Sequence, residues 1–167
     1  MKASGKNILN SKKLEKDNVS ERTRDIASDL SRLGSFDEIL EYLITYVTQT
    51  LEAERGSLFL HDPATHQLYT RVALGNLSRE IRIDEQSGVA GWVFMNAKST
   101  IVNNPYKDER FNKEVDERTG YRTKSLICVP IFSTGDVPIG VLQVLNKQKG
   151  RFTKADLTKI ELVASQC

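Results

Sequence analysis

The pattern of apolar positions becomes regular at Ser20. In "SERTRDIASDLSRLGSF", Ile26, Leu30 and Leu33 recur at three- and four-residue steps, the period of one helix face, and Gly34 can end that helix. Ser35 then caps a second helix, with Glu38 in the capping-box position three residues on. Its apolar face carries Phe36, Ile39, Leu40, Leu43, Ile44, Val47 and Leu51, a stripe wide enough to cover a sheet. The first helix has a thinner stripe, suited to pairing with another helix. The period then falls to two. "SLFLHD" (57–62) and "QLYTRVALG" (67–75) read as strands joined by a Pro-containing turn, and "EIRIDE" (80–85) alternates as a third. "SGVAGWVFMNAK" (87–98) is a short helix that Ser87 can cap, and "STIVNN" (99–104) is a short strand ending at Pro105. Residues 106 to about 119 form a loop and a charged helix. "KSLICVPIFS" and "VPIGVLQVLNK" make a hairpin across "TGD", and "FTKADLTKIELVASQC" is a last amphipathic helix with Leu157, Ile160, Leu162 and Val163 on its apolar side. The order predicts an α+β fold. A single sheet has long helices from both chain ends on one face and the crossover helices on the other, with a cavity beneath the latter.

Length and composition narrow the classes. With 167 residues there is enough chain for one sizeable core and too little for two ordinary domains. A net charge of +2 is too small to argue for nucleic acid as a partner. Two cysteines, Cys128 in a strand-like run and Cys167 at the end, do not make a disulfide framework or a cysteine metal site. His61 and His66 flank a turn with no carboxylate at ligand spacing in the sequence, so they read as solvated surface groups and no metal is expected. No apolar run approaches the roughly 20 residues that span a bilayer, and no signal peptide is visible, so no membrane insertion and a cytoplasmic location are expected. Residues 1–18 are Lys-rich with little periodicity and read as a flexible N-terminal segment. The last helix has no Gly or Pro stop signal, which suggests a truncated helix leading to an effector domain.

"ERGSLFL", "SGVAGWVF", "RFNKEVDERTGYRTKSLICVPI" and "GVLQVLNKQKGRFTKAD" together resemble a GAF domain. The likeness is to the cyclic-nucleotide-binding GAF domains of mammalian phosphodiesterases and cyanobacterial adenylyl cyclases. The resemblance implies a GAF-like six-stranded antiparallel sheet with helices on both faces, over residues 35–167. It makes 19–34 a signalling or dimerisation helix, with Ile26, Leu30 and Leu33 as its contacts. The family signature is matched by Asn146, Lys147, Phe152 and Asp156, while Leu157 stands where Glu is expected. Lys147 and Asp156 are the implied structural ion pair.

A cyclic nucleotide carries one phosphate charge, a ribose and a flat base. Val89 and Ala90, at a helix N-terminus, suit the phosphate, and the resemblance implies the same two positions; the alternative is an ordinary helix cap. The resemblance also places Asn112, Asp116, Thr119 and Thr123 along the ligand, with Asp116 as acceptor from an exocyclic amine. It adds Ser57 and Gln143, which read equally well as surface-facing strand residues. On this reading, Asp116→Ala or Thr123→Ala leaves the unliganded melting point nearly unchanged. Ala73 and Leu74 stand where some relatives carry an aromatic ring and an acid, so base stacking from that side is absent or supplied elsewhere. Arg71 or Arg82 could add positive charge, and Arg122 could reach a phosphate or pair with Asp116. Trp92 reads as core packing.

The function implied is a regulatory, non-enzymatic sensor of cAMP or cGMP. It dimerises through its terminal helices and controls a cyclase, a phosphodiesterase or a histidine kinase. No cofactor is expected beyond that regulatory ligand. The alternative is a GAF dimerisation module with a different small-molecule ligand or none. Methionine sulfoxide reduction, known on this fold, would need a reactive pocket thiol, and Cys128 reads as core.

Overall fold

A computed structural model describes residues 34–74 and 80–167. The expected flexible segment and the helix bearing Ile26, Leu30 and Leu33 lie outside the described residues. By its internal contacts the chain divides into two units, Met1–Ile39 and Leu40–Cys167. In the first, Ser35 and Glu38 form the expected reciprocal cap. Glu38 N–H donates to Ser35 Oγ at 3.2 Å, and Ser35 N–H donates to Glu38 Oε2 at 3.0 Å.

The elements are α1 (Phe36–Thr50), β1 (Ala53–Asp62), β2 (Gln67–Ala73), β3 (Arg82–Asp84), α2 (Gly88–Asn96), β4 (Thr100–Val102), a 3-10 turn (Pro105–Lys107), α3 (Glu114–Thr119), β5 (Leu126–Phe132), β6 (Pro138–Lys147) and α4 (Lys154–Ala164). The six strands form one sheet in the order β3-β2-β1-β6-β5-β4, with every pair antiparallel. β1 begins at Ala53, four residues before the start expected from the apolar run. "AERG" hides the strand because two of its residues are charged and one is glycine.

Alternation along β1 assigns the two faces. At Gly56 a β-carbon would lie 2.2 Å from Thr48 Oγ1 and 2.8 Å from Ile44 Cγ2, so α1 packs directly on the backbone there. Leu40, Leu43, Ile44 and Val47 of that helix are fully buried. Ser57, one residue on, points to the opposite face. Directly paired residues share a face, so Ser57, Gln143 and Cys128 form one row on that side. There the sheet packs against α2 through Phe59, Val89, Ala90, Val93, Leu126, Cys128 and Val141.

α4 is anchored where the family signature falls. Thr153 and Asp156 form a capping box, and Lys147 Nζ reaches Asp156 Oδ1 at 3.3 Å and the Leu51 carbonyl at 2.9 Å. Burial pushes the Asp156 carboxyl up, but hydrogen bonds from Thr153 and the Lys147 charge outweigh it and hold the group below its ordinary value. His66 is exposed, as its reading as a solvated group expects, but His61 is partly buried and both meet a carboxylate. Glu85 lies between them, 2.6 Å from His61 Nε2 and 3.2 Å from His66 Nδ1. Glu85 is 19 residues from His66 in sequence and arrives only because β3 pairs with β2.

Candidate functional site

On the α2 face of the sheet a cavity opens between β1, β6, the residues around β3, the start of α2 and the segment 111–126. All eight residues singled out for ligand contact line it: Ser57, Val89, Ala90, Asn112, Asp116, Thr119, Thr123 and Gln143. About 80 Å³ of it is open to the centres of water molecules, several times the roughly 10–15 Å³ that a single water needs.

The start of α2 is built to leave donors free. Ser87 occupies the N-cap position with extended backbone, yet its side chain makes no capping bond. This differs from the expected cap. Its hydroxyl instead accepts from Asn112 Nδ2 at 2.9 Å. The first helical hydrogen bond runs from Gly91 N–H to Ser87 O at 3.1 Å, so the amides of Gly88, Val89 and Ala90 precede the ladder. They lie at the positive end of the helix dipole and border the cavity. Gly91 permits this placement, since a β-carbon there would lie 2.8 Å from the Glu85 carbonyl oxygen.

The second wall is a polar knot around Asp116, a buried carboxylate. Its Oδ1 accepts from Thr123 Oγ1 at 2.7 Å, and its Oδ2 accepts from Thr123 N–H at 2.7 Å and Tyr106 hydroxyl at 2.9 Å. These bonds hold α3 to the strand entry at Thr123, so the expected indifference of stability to removal of Asp116 does not follow from this geometry. The Asp116 bond, the largest influence, pushes the Tyr106 phenol above its ordinary value. Asn112 is likewise engaged, its Oδ1 accepting from Glu114 N–H at 2.9 Å. Thr119 returns its hydroxyl to the Val115 carbonyl at 2.8 Å. Arg122 does not line the cavity. Its guanidinium lies over the Tyr106 ring, 4.1 Å from the centroid.

Several lining residues escaped the sequence reading. Arg55 places its guanidinium 3.7 Å from the centroid of the Tyr121 ring, and both line the cavity. The Tyr121 hydroxyl donates to Glu54 Oε2 at 2.8 Å. Hydrogen bonds from Asn146 and Tyr121 hold the Glu54 carboxyl below its usual range, while burial and the Glu54 bond push the Tyr121 phenol up. Among the described residues, the cation in this wall is Arg55. Arg82 is paired with Glu80 and Asp62, and neither it nor Arg71 lines the cavity. Ala73 and Leu74 are also outside it. Aromatic surface comes from Phe59, Phe111 and Tyr121. Two signals could have found Arg55 and Tyr121. Arg55 lies two residues before Ser57 on one strand face, and Tyr121 lies two before Thr123.

Asn146 holds this wall in place. Its Oδ1 accepts from Lys124 N–H at 2.6 Å, and its Nδ2 donates to the Arg122 carbonyl at 2.9 Å and to Glu54 Oε2 at 3.0 Å. The signature residues thus fix the frame around the cavity, and neither Lys147 nor Asp156 lines it. Trp92 is partly buried against the α2-side core with Arg110 over its ring. Cys128 is fully buried, and burial drives its thiol well above the ordinary value, so no reactive thiolate is available there.

The GAF domain model matches residues 35–167. The chain belongs to the GAF family. Among curated proteins this GAF domain is similar to "Probable 3',5'-cyclic phosphodiesterase pde-5" of Caenorhabditis elegans, 37% identical over 145 residues that make up 80% of this chain and 20% of that protein. It is also similar to "Dual 3',5'-cyclic-AMP and -GMP phosphodiesterase 11" of Drosophila melanogaster, 35% identical over 160 residues, 85% of this chain and 11% of that one. The chain therefore spans a fifth or less of the length of these relatives. Its fold matches the GAF domain of a Coxiella burnetii phosphoenolpyruvate-protein phosphotransferase with a TM-score of 0.77, covering 86% of each chain at 16% identity. Among the described residues no helix is long and apolar enough to cross a membrane.

Proposed function

We propose that this GAF domain is a regulatory sensor that binds a cyclic nucleotide, cAMP or cGMP, in the cavity and controls an attached effector. The observation that carries the reading is the uncapped start of α2 opening onto the cavity, where the Val89 and Ala90 amides suit a singly charged cyclic phosphate. Ser57 and Gln143 offer donors and acceptors for ribose and base, the Thr119 and Thr123 hydroxyls, whose protons go to Val115 and Asp116, offer acceptors, and Tyr121 offers a flat face. Asp116 and Asn112 serve chiefly by shaping the wall. Both relatives named above are cyclic-nucleotide phosphodiesterases, which favours a phosphodiesterase as effector over a cyclase or a histidine kinase. The domain itself is non-enzymatic on this reading, acts in the cytoplasm and pairs with a second copy through its terminal helices. Ligand binding shifts the balance between two arrangements of those helices.

The small size of the cavity favours a second reading, a dimerisation module with another ligand or none. Thermal melting with excess cAMP, cGMP and their ring-opened 5′-monophosphates separates the two. A cyclic nucleotide at 100 times its Kd adds about 2.7 kcal/mol of stability, and the open monophosphates add less. No shift with either cyclic nucleotide would overturn the sensor reading.

A further inference from the structure

The cluster of His61, His66 and Glu85 lies outside the cavity. His61 is the last residue but one of β1, His66 lies in the β1–β2 turn and Glu85 follows β3. Their three ligand atoms all lie within 4.8 Å of one another. Two imidazoles and one carboxylate are the donor set of open zinc sites, which keep a fourth position for water. Calcium and magnesium prefer all-oxygen shells, so the chemistry selects a borderline transition cation.

The cluster is also held in place from outside. The His61 ring packs against Phe94 of α2, with centroids 4.5 Å apart. His66 adopts a left-handed backbone, φ 55°, and its carbonyl accepts from Glu85 N–H at 3.0 Å. That backbone bond fixes the turn to the loop before any metal arrives. The Glu85 side chain, only 15% exposed, is shared between the two rings. A bound ion would replace those two side-chain bonds with metal bonds of about 2.0–2.2 Å. Tetrahedral donors at that length stand roughly 3.4 Å apart, so the Glu85 carboxylate would draw back slightly from His61, now 2.6 Å away, while its 3.2 Å spacing from His66 barely changes.

We propose that His61 Nε2, His66 Nδ1 and Glu85 bind one Zn²⁺ ion, with water in the fourth position. The ion clamps the β1–β2 turn to the loop that feeds α2. The Glu85 carbonyl packs against Gly91 of α2, and Ser87 begins that helix, so the clamp acts on the element whose free amides border the cavity. The inference does not depend on what the cavity binds.

The test is titration of the chelator-stripped chain with ZnCl2, read by calorimetry and thermal melting, with CoCl2 as a spectroscopic stand-in. One equivalent of zinc should bind and raise Tm, and cobalt should give the visible absorption of a four-coordinate nitrogen and oxygen site. MgCl2 should do neither. His66→Asn keeps a residue that tolerates the left-handed backbone, and with 73% of its side chain exposed the metal-free Tm should barely move. That variant and Glu85→Gln should each lower zinc affinity at least tenfold. No zinc binding by the unaltered chain would overturn the proposal. So would binding undiminished in both variants, or cobalt bands of sulfur ligation, which would place the metal at a cysteine.

Discussion

Gly56 and Ser57 are neighbours on one strand and face opposite halves of the molecule. On the Gly56 side the sheet meets α1 with no space for a methyl group, and the contact is made by fully buried Leu40, Leu43, Ile44 and Val47. On the Ser57 side the sheet meets α2 and α3 across a cavity, and the walls are joined by hydrogen-bonded side chains centred on Asp116 and Asn146. A face closed by apolar packing has nowhere to put a ligand. A face held open by satisfied polar groups can keep donors and acceptors in fixed places without collapsing. The same strand can thus stabilise the domain on one side and present chemistry on the other.

That contrast is sharpest at Asp116. Asp116→Ala leaves the Thr123 N–H and hydroxyl without their acceptor, and the expected loss is about 2–6 kcal/mol, from roughly 1–3 kcal/mol for each of the two buried groups left unpaired. Denaturant unfolding measures it. A loss under 1 kcal/mol would show that the open face does not depend on this knot. Gly56→Ala should follow, at about 1–3 kcal/mol, because Thr48 Oγ1 is tied to the Ile44 carbonyl at 2.7 Å and cannot easily turn away. Ser57→Ala, one residue on, should change stability by less than about 1 kcal/mol, since the added space joins an existing cavity. Equal losses at the two positions would erase the distinction between the faces.

The smallest effect belongs to acid. Asp156 has a folded pKa below its unfolded value, so its contribution is present above about pH 4 and is lost as pH falls through the depressed folded value. Asp156→Asn should therefore flatten the stability profile below about pH 4 while lowering stability at neutral pH. An unchanged acid limb in the variant would mean that other carboxylates set it.

How much of this was legible in the sequence varies with the kind of signal. The helix–strand order, the face of α1 and the candidate lining residues could be named, because periodicity and a family likeness both attach to positions along the chain. The start of β1 was missed because "AERG" is polar and flexible by composition, and with it went Arg55. Ser87 was expected to cap α2, but its hydroxyl serves Asn112, 25 residues away. No local rule weighs a cap against a distant amide.

By itself, then, the sequence determined which segments are helices and strands, which faces are apolar and which residue types stand near the cavity. Those follow from short-range spacing and the cost of leaving apolar surface in water. Only the tertiary structure decided which polar groups are already engaged and which still face open space. It also brought Glu85 between two histidines and set Arg55 against Tyr121. Such pairings join residues distant in sequence, and strand register and close helix–sheet contact choose among partners that local spacing leaves equivalent.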